Sequence, residues 1–79
     1  MINEENVKPT QRNRVDWYIR EYGSITQLEA LRDLGVMRLA SRVSEMRKDG
    51  IEIKSRWKDV KNRFGETCQV KEYYYEVEA

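Results

Sequence analysis

A chain of 79 residues makes one domain, and a domain this small buries only about 60% of the surface its unfolded chain exposes. Its 39% apolar residues and single proline exclude a disordered chain, its single cysteine excludes an internal disulfide, and no apolar run approaches the roughly 20 residues of a membrane span. The net charge of +1 excludes a uniformly basic surface.

Residues 1 to 9 carry little pattern and read as a flexible arm preceding one domain over residues 10 to 79. Met1 to Pro9 has no basic region followed by an apolar stretch, so no secretory leader is expected and a cytoplasmic location is. Thr10 offers an N-cap, and Val15, Tyr18, Ile19 and Tyr22 follow at the spacing of one helical face. Gly23 ends this first helix. Ser24 and Ile25 form a short extended step with Ile25 inward. Thr26 and Glu29 then make a capping box, in which each side chain satisfies the other residue's backbone N–H. The second helix runs to about Asp33, with Leu28, Leu31 and Leu34 apolar and Ala30 small enough for a close approach.

Gly35 supplies the turn. Val36, Leu39, Ala40, Val43 and Met46 then repeat at helical spacing up to Gly50, predicting a third helix that crosses the second steeply. Beyond Gly50 the period becomes two. Ile51, Ile53 and Trp57 alternate with Glu52, Lys54, Arg56 and Lys58, which predicts a strand. Asn62 to Gly65 makes a turn. The second strand carries Cys68 and Val70 on one parity and Tyr73 and Tyr75 on the other, so a bulge is expected near Lys71 and Glu72. Trp57, Tyr73 and Tyr75 are expected to close the core, with Tyr74 outward, Cys68 a small core residue, and Trp17 partly exposed at a possible homodimer contact. Leu31, Leu39 and Val43 should carry the fold.

The order of elements is that of a winged helix-turn-helix: mostly α, three helices and a two-stranded hairpin wing, with a short third strand allowed at Ser24 and Ile25. The stretch GSITQLEALRDLGVMRLASRVSEMRKDG, with KNRFGE after it, resembles the small helix-turn-helix proteins of bacteriophages and prophages. That resemblance implies binding to duplex DNA in gene control or in excision and recombination. One departure is that Ala30 stands five residues before Gly35, where strict phage-repressor motifs have four.

Charge is segregated along the chain. Residues 36 to 63 hold nine Lys or Arg and four acids, a balance of +5, against −1 for residues 1 to 35 and −3 for residues 64 to 79. Helical projection places Met37, Arg38, Ser41, Glu45 and Lys48 opposite the apolar face of the third helix and Arg42 on its flank. These are the candidate base-reading residues. Arg38 or Arg42 suits a bidentate contact with guanine. Glu45 either accepts from a cytosine amine or pairs with Arg38 or Arg42 and holds it, the second being favoured. Phosphate contacts are expected from Thr26 and Gln27 at the start of the second helix and from Lys54, Arg56, Lys58, Lys61, Asn62 and Arg63 on the wing. Without histidine or a glycine-rich phosphate loop, no catalysis, cofactor, metal or small-molecule substrate is expected. The competing reading is a module that binds a protein partner or a second copy through the first helix and the tyrosine-rich strand.

Overall fold

The computed structural model describes residues 9–76. The arm expected over residues 1 to 9 lies, Pro9 apart, outside the described residues, as do positions 77 to 79 of the expected domain. Three helices and three short strands follow in the order α1 (Gln11–Tyr22), β1 (Ile25–Thr26), α2 (Gln27–Glu29), a π-helical stretch (Ala30–Leu34) continuing α2, α3 (Leu39–Lys48), β2 (Lys54–Lys61) and β3 (Thr67–Tyr74).

Each helix boundary has a local cause. The Thr10 hydroxyl accepts from the N–H of Asn13, and Gly23 ends α1 in the left-handed region at φ 92°. At Thr26 the capping box is complete: its hydroxyl accepts from the N–H of Glu29, and its own N–H donates to the Glu29 carboxylate at 2.9 Å. The following π-helical stretch explains the spacing of Ala30 and Gly35. A π-turn is an α-turn widened by one residue, and the closing bonds are widened to match. The N–H of Val36 reaches the carbonyl of Ala30 at 3.0 Å and that of Gly35 the carbonyl of Leu31 at 3.2 Å, each one residue longer than in the usual left-handed glycine stop.

The core joins Val15, Tyr18 and Ile19 of α1 to Ile25, Ala30 and Val36, to Leu39, Val43 and Met46 of α3, and to Ile53 and Tyr73. Leu28 and Leu31 are not in it. Both face outward, Leu31 at 47% exposure, because α2 approaches through Ala30 and Leu34, which share a face four residues apart. The expectation for Leu31 is thereby corrected. Tyr22 is also exposed and packs on Tyr18, ring centres 4.6 Å apart, since the chain turns away from the core at Gly23. Ala40, counted among the apolar set of the third helix, is exposed.

The sheet has strand order β1-β3-β2, antiparallel throughout, with Ile25 opposite Tyr73 and Thr26 opposite Glu72. The extended step is therefore a true third strand, one residue later than expected. The wing pairs without interruption from Lys54 opposite Tyr74 to Lys61 opposite Thr67, so the bulge expected near Lys71 and Glu72 does not form. A change of inward parity needs a bulge only where both halves of a strand are buried. Here the outer half lies beyond the core. Cys68 and Trp57 are exposed for the same reason, and neither is the core residue expected of it. The wing gives the molecule its long axis of 51 Å, against 32 and 23 Å.

Leu39 is fully buried, so Leu39→Ala should cost ~2 to 5 kcal/mol of stability by leaving a cavity. Leu31→Ala should cost less than ~1 kcal/mol. Urea denaturation of the two variants checks both, and equal losses would mean that α2 packs through another face.

Candidate nucleic-acid interface

Between the π-helical stretch and α3 lie Gly35, Val36, Met37 and Arg38. Gly35 takes a left-handed conformation at φ 69°, and Val36 is fully buried. Two backbone polar groups at this junction are met by one side chain from the preceding helix. The Gln27 amide nitrogen donates to the carbonyl of Val36 at 3.0 Å, and its oxygen accepts from the N–H of Leu39 at 2.9 Å. This clasp fixes where α3 starts. The helix therefore begins at Leu39 rather than Val36, and Met37 and Arg38 stand on the turn before it, both exposed. The Gln27 side chain, expected to contact phosphate, is committed to this internal role.

Arg47 anchors the other end of α3. Its guanidinium donates twice to the carbonyl of Ile53, at 2.7 and 3.1 Å, and lies over the ring of Tyr73. The face left outward carries Ala40, Ser44 and Lys48 exposed, with Ser41, Arg42 and Glu45 half-buried beside them. Ala40 and Ser44 were not among the expected contact residues, although they stand eight and four residues ahead of Lys48 on the same face. Arg42 is paired with Glu45 at 2.9 Å and shares with Arg38, Met37, Gln11 and Gly35 a shallow depression of about 430 Å³. Its Nε is buried without a hydrogen-bond partner.

On the wing the cations divide into two groups. Arg56 donates to Glu72 at 2.8 Å and lies over the ring of Tyr74, Lys58 stands 3.5 Å from the other oxygen of Glu72, and Lys54 faces Glu76 at 3.8 Å. Glu72 is buried. The Arg56 guanidinium holds its carboxyl below the usual glutamate range, against the opposing effect of burial, with Ser24 and Lys58 assisting. Nearer the tip, Lys61 donates to the hydroxyl of Thr67. Among the described residues neither it nor Arg63 has a carboxylate partner, and the same holds for Arg38 and Lys48. Strand alternation places Lys54, Arg56 and Lys58 on one face of the ribbon, and Trp57, Lys61 and Lys71 on the face shared with Tyr73. The Lys71 ammonium lies 5.3 Å from the centre of the exposed Trp57 ring.

Two other expected phosphate contacts have different work. Thr26 is buried at 6% exposure with its N–H and hydroxyl both bonded to Glu29, which leaves it no donor for a ligand. Asn62 forms the turn: its side-chain oxygen accepts from the N–H groups of Phe64 and Glu66, both at 2.9 Å, and its amide donates to Glu66.

Among the described residues no helix is long and apolar enough to cross a membrane, and no group of three or more Cys, Asp or Glu stands together as metal ligands. Two consequences of the geometry are measurable. Gln27→Ala should destabilise the domain by ~1 to 3 kcal/mol, because it strands a carbonyl and an N–H at the helix junction; an unchanged melting temperature would remove the clasp from the account. Glu72 has a depressed folded-state pKa, so its contribution is complete above its unfolded value and is lost as pH falls through the folded one. Glu72→Gln should therefore flatten the loss of melting temperature on acidification below about pH 4.5, and an unchanged acid limb would contradict the assignment. A family profile described as "winged helix-turn-helix domain" matches residues 10–77. No curated protein and no solved structure is significantly similar to the chain.

Proposed function

The chain belongs to the winged helix-turn-helix domain family, and from that premise we propose that it binds duplex DNA with α3 in the major groove and the wing along the backbone. Membership implies a DNA-binding module. The observation that supports this mode of binding is the distribution of unpaired cations. Arg38 and Lys48 flank the outward face of α3, and Lys61 and Arg63 stand at the wing tip, while Arg56 and Lys58 at the wing base share the carboxylate of Glu72.

Small side chains at Ala40, Ser41 and Ser44 let α3 seat closely, so that Arg38 and Lys48 reach base edges or the nearest phosphates. Arg42 is held on the flank by Glu45, an arrangement that orients a guanidinium for bidentate contact with guanine. Lys61 and Arg63 neutralise phosphates and carry no sequence information. The finer role that fits a small regulator of this kind is bacteriophage or prophage gene control, or assistance in excision and recombination. A second copy is favoured as a partner by α1, where Trp17 and Tyr22 are 52% and 64% exposed with ring centres 6.0 Å apart.

Binding to a mixed-sequence duplex should weaken steeply with salt, with a log–log slope of about −3.5 if Arg38, Lys48, Lys61 and Arg63 all displace counterions. Lys61→Ala and Arg63→Ala should each reduce that slope by about one unit and lower affinity on every sequence alike. Arg38→Ala should cost ~1 to 3 kcal/mol on a site selected from a random pool and much less on other duplexes. Arg56→Ala should leave the salt slope nearly unchanged. Salt-independent affinity, or an Arg56 effect equal to that of Arg63, would overturn this division of labour.

A further inference from the structure

The wing tip presents an aromatic side chain that neither the fold nor the four cations require. Phe64 is 86% exposed, the highest value among the large apolar residues described. Nothing packs it down, and the turn holds it out. The side-chain oxygen of Asn62 fixes the backbone on both sides of it, the N–H of Asn62 donates to Glu66 at 2.9 Å, and Gly65 turns the chain at φ 80°. An apolar ring fixed in water costs solubility, and the same turn chemistry would accept a polar residue at this position. The immediate surroundings are cationic. Arg63 precedes Phe64 and Lys61 stands at the end of β2, while the nearest acid, Glu66, is hydrogen-bonded to Asn62.

From this juxtaposition we infer that the wing tip enters the minor groove of duplex DNA, with Phe64 as an apolar wedge against a base step and Lys61 and Arg63 on the flanking phosphates. The inference rests on the DNA-binding reading above and adds a deformation of the duplex to it. Polyanionic flanks match the two cations, and the faces of unstacked bases match the ring. Reach is sufficient. Eight-residue strands extend about 25 Å, whereas the minor groove next to an occupied major groove is about half a helical turn, roughly 17 Å, away. Wedges act most readily at pyrimidine–purine steps, which kink easily.

The experiment uses the whole chain and a duplex with several TA steps, labelled at its ends with donor and acceptor dyes, and compares the parent with Phe64→Ala and Phe64→Leu. Energy transfer reports bending, and anisotropy reports affinity. The parent should shorten the end-to-end distance. Phe64→Ala should keep the melting temperature and the salt slope, lose the bend, and bind about tenfold more weakly; Phe64→Leu should retain most of the bend. If the parent binds with a steep salt slope but the duplex stays straight and Phe64→Ala binds equally well, the wedge is overturned while DNA binding stands, and the tip belongs to a protein partner. If Phe64→Ala binds more weakly but the parent leaves the duplex straight, insertion is overturned in favour of a surface contact. No binding by the parent at low salt overturns both readings.

Discussion

Everything presented by α3 depends on the angle at which it leaves α2, and one carboxamide sets that angle. Gln27 bonds the carbonyl of Val36 in the turn and the first N–H of α3 together. With the buried side chain of Val36 beneath, the four residues of the turn have no freedom to swing. A carboxylate at this position would keep the acceptor and lose the donor, leaving the carbonyl of Val36 facing a negative charge. An aliphatic side chain would lose both. Similar ties fix the remaining elements. Arg14 donates from α1 to the carbonyl of Leu34 at 3.1 Å, the Tyr18 hydroxyl donates to Asp33 at 2.8 Å, and Tyr75 donates to Asp16 at 2.6 Å. Burial first, and then the bond to Asp33, push the Tyr18 hydroxyl up to about 12, so it remains a donor throughout the neutral range.

A nearly neutral protein gains a cationic face by spending its acids selectively. Asp49 is used on Arg12, Asp16 on Arg20, Asp33 on Arg32 and Glu72 on Arg56 and Lys58. These pairs sit on helix flanks and at the base of the ribbon, and most are exposed enough to contribute little to stability. Their effect is on the field. They cancel charge over the body of the domain. Among the described residues Arg38 and Lys48 beside α3 and Lys61 and Arg63 at the end of the wing are left without carboxylates, as is Lys71 on the Trp57 ring, while Arg14 and Arg47 are bound to backbone carbonyls. Counting charge along the sequence located the basic middle segment but not this partition, because Arg56 and Glu72 are sixteen residues apart and meet only through strand register.

Features set by local chemistry were legible in the sequence. Thr10, Gly23, the Thr26–Glu29 box, Gly35 and the Asn62 turn act within a few residues, and each stands where the residue types place it. The burial of Leu39 and Val43 followed from helical period because α3 packs along its length. Period failed where an element leaves the core or meets it through a small residue. Leu31 had the right spacing, but Ala30 governs the approach of α2. Trp57 and Cys68 had strand-like parity, but their ribbon has no second layer beneath it. Gln27 was legible as a polar residue at a helix start, whereas its two hydrogen bonds across the turn depend on the path of the next twelve residues. The extra residue between Ala30 and Gly35 was visible as a count. Its expression as a π-turn was not.

The wing is attached at one end only. Ile25 opposite Tyr73 and Thr26 opposite Glu72 hold β3 to the body, and past those pairs the ribbon is a cantilever whose stiffness comes from its own ladder. A rotation of ~10° at the base would carry the end of a ~25 Å ribbon through ~4 Å, comparable to the difference between a narrow and a wide groove. A tight turn at the far end and anchorage at the near end alone thus make a calliper: the jaw keeps its shape, and any change in its opening has to come from the base.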